Sequence, residues 1–445
     1  MAEIPHGPRS VIPFRFLRVM QRDPIPFLTR MAREHGDAVQ FRVGPQRLVL
    51  FNHPDLIREV LVAHPHSFIK SRVLQRSKIM LGEGLLTSEG ALHQRQRRLA
   101  QPAFHRDRIA HYAEVMVQRA AAMRDQWRDG ETLDIHHAMM RLTLSVVAKT
   151  LFGAEVEGEE DEIGRALTSL IDLFPLLINP FSTYLQKVPI PSTLRFRKAI
   201  ARLDRTIYGI IDERRAAGED RGDLLSMLLL AQDEEGDGGG MTDMQVHDEA
   251  LTLFLAGHET TANALAWTWY LLAQHPGVAD ELQRAIGDRL PAAADYPRLQ
   301  YVEMVLAESM RLYPPAWAIS RLSVEDVEIG GWSVPANTVV VVSQALMHRD
   351  PRWWPEPDRF DPLRFAPDAK LARPKFAYFP FGGGTRVCIG EGFAWMEGVL
   401  LLATLAQRWR MELLSRDVQP KATITLRPRG GIRMRLTKAE ETRRA

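Results

Sequence analysis

Among 445 residues there is one cysteine, Cys388, and that single thiol bounds what the chain can fold into. One cysteine cannot form an intrachain disulfide, a Cys-rich zinc site or an iron–sulfur centre. A core of buried side chains must therefore hold the fold. With 45% hydrophobic and 25% charged residues the chain is globular, and it is long enough to enclose a large core and an internal cavity. The 57 basic and 55 acidic residues leave a net charge of +2, which gives no field for a nucleic-acid partner. Residues 11–20 are apolar but contain Arg15 and Arg18, and no small-residue cleavage pattern follows. The apolar run 399–406 is too short to cross a bilayer. A soluble cytoplasmic protein without a transmembrane anchor is expected, open to peripheral membrane contact through apolar loops.

Residues 40–43 and 47–51 flank Gly44-Pro45-Gln46 and read as a hairpin in a β-richer N-terminal part, about 25–70. Residues 54–63 read as a short helix. Apolar residues three and four apart predict helices over 108–128, 137–152 and 194–215, within a helical core of about 90–320. Gly236–Gly240 reads as an exposed loop and not a phosphate cradle, because no Lys-Ser/Thr follows and no strand precedes it. A long apolar helix is expected over 243–274, capped by Thr242 with Gln245 three residues on and ended by Pro276-Gly277. Further helices fit 278–289 and 298–312, strands fit 325–329, 332–334 and 338–343, and a last helix fits 390–408. Strand-like alternation follows at 422–427 and 432–436. There is no internal repeat. The pattern is mainly α, one large domain over 1–445 with small β-sheets at one side.

Two segments carry chemistry. Cys388 lies just ahead of the last helix, whose positive end favours a thiolate. Gly382, Gly383 and Gly384 allow a tight turn that aims backbone N–H groups at the sulfur. Phe381 shields the sulfur, Arg386 offers a charge to an anionic group, and Gly390 lets a flat cofactor lie against the helix start. Taken alone, the cysteine also fits a buried small hydrophobe or a nucleophile in need of a histidine partner. The second segment is Ala256-Gly-His-Glu259-Thr260, in the middle of the long apolar helix. Ala256 and Gly257 let a bulky group approach. Thr260 lies one turn on, on the same face, and presents a hydroxyl. Glu259 is an acid where an acid is costly without a task, and next to an alcohol it can relay protons. His258 faces another way and reads as a surface or structural residue.

The string Phe381-Gly-Gly-Gly-Thr-Arg386-Val-Cys388-Ile-Gly390 resembles the haem-binding signature of the cytochrome P450 superfamily at every defining position. Ala256–Thr260 resembles that family's oxygen-activation motif, and the likeness extends from about residue 25 to 436. It implies a helical prism with a small β-rich side, a haem-binding loop over 381–390, and haem b with Cys388 as the ligand of its iron. It also implies Thr260 and Glu259 as catalytic residues and Ala256 as a cofactor contact. Glu308-x-x-Arg311 resembles the family's Glu-x-x-Arg helix, and with Arg359 it implies a buried structural triad behind the haem. For the two haem propionates the likeness implies Arg386, Arg97 and Arg321 as donors. His93 stands where the family usually has tryptophan. His348 reads as either a structural bond or a further propionate contact.

The implied activity inserts one atom of O2 into a hydrophobic substrate, by hydroxylation or epoxidation of a fatty acid, terpenoid, carotenoid or similar compound. The candidate pocket wall spans Phe68–Leu86, including position 82 (Gly82), then Leu173–Ile178 with Phe174 and Leu177, then Phe254 and Leu255, and Ala316–Ile319 with Trp317. The sequence stops soon after the last strand signals, so a separate ferredoxin or flavodoxin with its NAD(P)H reductase is expected. Arg95, Arg98, Arg106 and Arg108 are the candidate docking patch for it. Two other uses of the scaffold are a peroxide-driven peroxygenase and a non-enzymatic haem sensor or carrier. The acid–alcohol pair argues against both.

Overall fold

Thr242 and Gln245 do start the long helix. Thr242 Oγ1 accepts from Gln245 N–H at 3.2 Å, and Thr242 N–H donates to Gln245 Oε1 at 3.0 Å. The helix runs Asp243–Leu272 and is buried around most of its circumference, as a helix apolar on all sides must be. This central helix packs along Ile135–Phe152 and also touches Pro191–Ala217, Gln300–Leu312 and Glu391–Ala406. The last of these is the cysteine helix. The computed structural model describes residues 3–8, 15–154, 160–172, 191–233 and 239–439. Positions 173–178 and 236–238 of the readings above lie outside the described residues.

A five-stranded sheet forms one side. Strands β1 (Ala38–Val43) and β2 (Gln46–Phe51) make the expected hairpin, closed by a Val43–Gln46 pair around Gly44 and Pro45. Further along the sheet come β8 (Val339–Val342), β5 (Ile319–Ser323) and β3 (Phe68–Lys70), with β8 parallel to β2. Alternate residues of β2 and β8 face two cores. Val49, Phe51, Val340 and Val342 join one, and Leu48, Leu50, Val339 and Val341 join the other. A three-stranded sheet pairs β12 (Arg433–Lys438) with β4 (Thr132–Asp134) and β9 (Trp409–Leu413). Two hairpins complete the set: β6 (Val327–Ile329) with β7 (Trp332–Val334), and β10 (Pro420–Ala422) with β11 (Leu426–Pro428).

The architecture is mainly helical with small separate sheets, as the pattern predicts. The differences are local. Residues 54–63 split into a helix, Pro54–Arg58, and a wider π-turn, Glu59–Ala63. The alternation at 422–427 is two strands and not one, because Thr423 N–H and its hydroxyl both turn back onto Thr425 O. No helix among the described residues is long and apolar enough to cross a membrane.

Candidate active site

The cysteine loop folds back on its own backbone. Phe379 O accepts Gly382 N–H at 2.9 Å, and Phe381 O accepts Cys388 N–H at 3.0 Å. Gly384 has φ +71°, and a Cβ there would stand 1.9 Å from Leu61 O, so glycine alone fits. Phe381 is half-buried and meets Trp395 of the cysteine helix, their ring centres 5.7 Å apart. Burial raises the Cys388 thiol above its ordinary pKa, while the Gly390 N–H and the Arg97 guanidinium pull it down. Arg97 reaches this loop directly, donating to Val387 O at 2.9 Å. Cys388 keeps solvent-accessible surface in this structure.

The central helix opens in the same way. Ala256 is exposed and Gly257 and Thr260 are partly so, although Leu251–Leu255 and Thr261–Leu272 are buried. The two helices pack on each other, so the cysteine loop and the Ala256–Thr260 turn, each with open surface, belong to one helix pair. Thr260 Oγ1 donates to Ala256 O at 2.7 Å, which leaves its lone pairs toward the opening.

Glu259 departs from the expectation. Its carboxylate is buried and accepts from Arg427 Nε of β11 at 2.6 Å and from the hydroxyl of Thr425, just ahead of that strand. It is an ion-pair member turned toward the sheet, because an acid this deep needs a charged partner and β11 supplies one. His258 is fully buried, not at the surface, and bonds Phe254 O through Nδ1 at 2.9 Å.

A group of basic residues lies together beside the cysteine loop. Lys70, His93 and Arg321 are buried, and Arg386 is partly so. Glu89 bonds Arg386 at 2.5 Å, and Arg321 has only Ser320 O, at 3.2 Å, among the described residues. His93 Nδ1 lies 3.4 Å from Lys70 Nζ, and His93 Nε2 has no partner. Burial is the main cause that pushes Lys70 down to about 7 and His93 to about 4, with the neighbouring cations adding to it. Arg321 is lowered to about 10, again by burial first. Lys70 spends its ammonium on Leu85 O and Ser88 O, which leaves the buried Arg321 guanidinium and His93 Nε2 as donors for an anionic ligand. These donors fit the propionates of haem b: Arg321, Arg386 and His93 would hold them, and Cys388 would supply the ligand of its iron. Lys70 was not foreseen. It sits in a three-residue strand whose neighbours come from 250 residues away.

Behind the loop, Glu308 and Arg311 are fully buried and joined by two bonds of 2.6 and 2.9 Å. Arg359 is not the third charged member. It gives Arg311 only its backbone carbonyl, while its guanidinium is 61% exposed and pairs with Glu356. The second guanidinium at Glu308 belongs to Arg364, 3.5 Å away. His348 is a structural bond, not a propionate contact. It is wholly buried, accepts Phe379 N–H through Nε2, and offers its carbonyl to Arg311.

The pocket residues divide. Gly82 has no side chain to offer and its backbone lies against Asp248. Phe254 is buried and stacked on Phe152 with ring centres 4.3 Å apart, and Leu255 is buried. Trp317 and Ile319 are half-buried, and Ile319 abuts the glycine turn at Gly382. The docking patch shrinks because Asp233 is buried between Arg95 and Arg98, at 3.3 and 3.0 Å, leaving Arg106 and Arg108 exposed. Two surface hollows, of about 210 and 310 Å³, are lined by none of these site residues. Among the described residues no group of three His, Cys, Asp or Glu could hold a bare metal ion.

The family model for cytochrome P450 matches residues 5–434. Cyclooctatin synthase of Streptomyces melanosporofaciens is 41% identical, over 92% of this chain and 90% of that protein. Cyclooctat-9-en-7-ol 5-monooxygenase of the same organism is 38% identical, over 91% and 89%. Pentalenene oxygenase of Streptomyces avermitilis is 35% identical, over 94% of each chain. A match that spans nearly the whole sequence, carried by relatives of full length, places this chain in the cytochrome P450 family of haem-thiolate monooxygenases.

Proposed function

We propose that this chain oxygenates a polycyclic terpenoid, with Cys388 as the haem ligand and electrons from NAD(P)H through a separate ferredoxin or flavodoxin and its reductase. The observation that carries the reading is that Cys388 and the Ala256–Thr260 turn keep open surface on two helices packed together, which we read as facing walls of one ligand cavity. Two relatives are named for acting on cyclooctat-9-en-7-ol and pentalenene, both cyclic terpenoids.

When bound, haem b supplies the redox chemistry that activates O2. The chain's residues bind, orient and exclude. Ala256 and Gly257 give the flat group room beside the helix. The Gly390 N–H and the helix start temper the charge on the Cys388 sulfur. Leu86 and Ile319 are apolar and present no hydrogen-bonding group, so shape and hydrophobic burial select the substrate. Thr260 Oγ1 holds or passes a proton at the cavity wall, and the buried helix keeps bulk water from that oxygen.

Optical titration of the haem-loaded protein tests the substrate class. A fused-ring terpene hydrocarbon and its mono-alcohol should displace water from the iron, and turnover with a reconstituted donor should give a product one oxygen atom heavier. A fatty acid or macrolide that binds and turns over while every terpenoid is inert would reverse the assignment.

A further inference from the structure

The stretch Gly82–Ser88 crosses the central helix just ahead of Ala256, and the fit is tight. A Cβ on Gly84 would stand 2.3 Å from Thr252 Oγ1 and 2.5 Å from Asp248 O. Two acids of the central helix hold the stretch from below. Asp248 accepts Glu83 N–H at 2.8 Å, and Glu249 accepts Leu85 N–H at 3.0 Å. Lys70 holds it from the other side, donating from Nζ to Leu85 O at 2.7 Å and to Ser88 O at 2.5 Å. Leu85 is thus gripped at its N–H by a carboxylate and at its carbonyl by an ammonium, and both are buried.

Holding two ions in the interior is costly. Burial pushes Glu249 up to about 7 and Lys70 down to about 7. Glu249 Oε1 has no hydrogen-bond partner among the described residues. The one neighbour that emerges from this grip is Leu86. Gly84, Leu85, Thr87 and Ser88 are buried, and between Gly84 and Ser88 only Leu86 keeps open surface. Thr252, Ala256 and Thr260 follow one another at four-residue spacing on the central helix, so the crossing at Thr252 brings Leu86 beside the opening at Ala256.

We propose that Glu249 is a positioning residue: with Lys70 it clamps the Leu85 peptide and so fixes Leu86 as a rigid wall of the substrate cavity, where it sets which ligand shapes reach the cofactor. The clamp rests on the reading of the interior space as the ligand cavity. Glu249 touches neither cofactor nor substrate. It acts through one peptide group. The two charges orient that group more firmly than neutral partners would.

The test uses the haem-loaded full chain with Glu249→Leu, Glu249→Gln and Leu86→Ala, and two measurements. The first is hydrogen exchange of the amides in 82–88. The second is the ratio of spectral affinities for 4-phenylimidazole and for imidazole, a bulky and a small probe of the same chemistry. Glu249→Leu should speed exchange by about tenfold or more, as loss of a charge-assisted bond does. It should also change the probe ratio in the same direction as Leu86→Ala, with imidazole binding held within about twofold. Glu249→Gln keeps an acceptor without the charge and should move both readouts less, with the same sign. If Glu249→Leu does not fold, Glu249→Gln decides, and no change in either readout overturns the clamp. Faster exchange with an unchanged probe ratio also overturns it, since Glu249 is then only a structural contact. If Leu86→Ala itself leaves the ratio unchanged, the cavity reading fails at this wall, and the clamp falls with it.

Discussion

The Glu259 carboxylate meets Arg427 Nε at 2.6 Å, and neither side chain is more than marginally exposed. The bond joins the middle of the central helix to β11 and keeps the acid off the cavity wall. Breaking a buried pair of this kind by removing one partner costs about 3–5 kcal/mol. Glu259→Gln is therefore expected to lower the thermal midpoint of the haem-loaded protein, as is Arg427→Met. The double variant should recover much of the loss. Additive losses in that cycle, measured by thermal denaturation, would show that the two side chains do not act as a pair.

Thr260→Ala is expected to fold and to bind haem and ligand as the wild type does, because alanine suits a helix and only one hydroxyl is removed. The change should appear in coupling. NAD(P)H consumption should continue while product falls and hydrogen peroxide accumulates. The measurement is product and peroxide per NAD(P)H. Full coupling in the variant would mean that ordered water or a substrate hydroxyl does the work assigned to Thr260.

Cys388→Ser should keep the loop, since Cys388 N–H and not its sulfur makes the bond to Phe381 O. It should lose the long-wavelength absorption of the reduced CO complex that marks thiolate ligation. A variant that retains this band has another ligand.

Glu308 and Arg359 should behave oppositely. Glu308→Ala leaves Arg311 buried without its carboxylate and is expected to cost about 3–5 kcal/mol and much of the haem content. Arg359→Ala removes a surface pair with Glu356 and should cost about 1 kcal/mol or less, because the carbonyl that Arg311 uses remains. Expression yield, haem per chain and urea midpoint separate the two. Equal damage would restore Arg359 to the triad.

Glu397, in the cysteine helix, is fully buried, and among the described residues neither carboxyl oxygen has a partner in hydrogen-bond geometry. Burial raises its pKa from 4.5 to about 8, against some relief from the nearby Thr261 hydroxyl. Between those values the folded chain holds a proton that the unfolded chain has lost. Stability should therefore fall with rising pH across that window, by about 1.4 kcal/mol per pH unit at most. Glu397→Gln removes this dependence. Its advantage over the wild type should grow from about pH 5 to about pH 8 and then level off. Urea denaturation at a series of pH values reads this out, and a constant difference would place a counter-charge beside Glu397.

What could be read from the sequence was contiguous. The glycine turn, Cys388 and the helix after it lie within a dozen residues, and the Ala256–Thr260 turn within one and a half helical turns. Long helices declare themselves by period, and the Thr242–Gln245 cap by composition. Lys70, Glu89, Glu249 and Arg427 carry no such signal. Each gains its role from a neighbour that the topology brings in, as Phe68–Lys70 does by pairing with Ile319–Ser323. Phe254 illustrates the opposite error. A phenylalanine two residues before Ala256 reads as pocket lining, but its face is taken by Phe152. Arg359 fails for a related reason: a motif names a residue, and here the fold uses that residue's backbone.

The tie between Glu259 and Arg427 spans 168 residues of chain. During synthesis the acid leaves the ribosome long before its partner exists. At roughly 5–20 residues per second the interval is on the order of ten to thirty seconds. Trp267 waits similarly for Leu426 O. Through that interval the central helix has no strand to close against, and the growing chain holds an acid it cannot yet bury without cost. Glu259 and Trp267 gain these partners only when β11 arrives, so until then the middle of the central helix carries a carboxylate and an indole N–H that the finished fold would not leave unbonded.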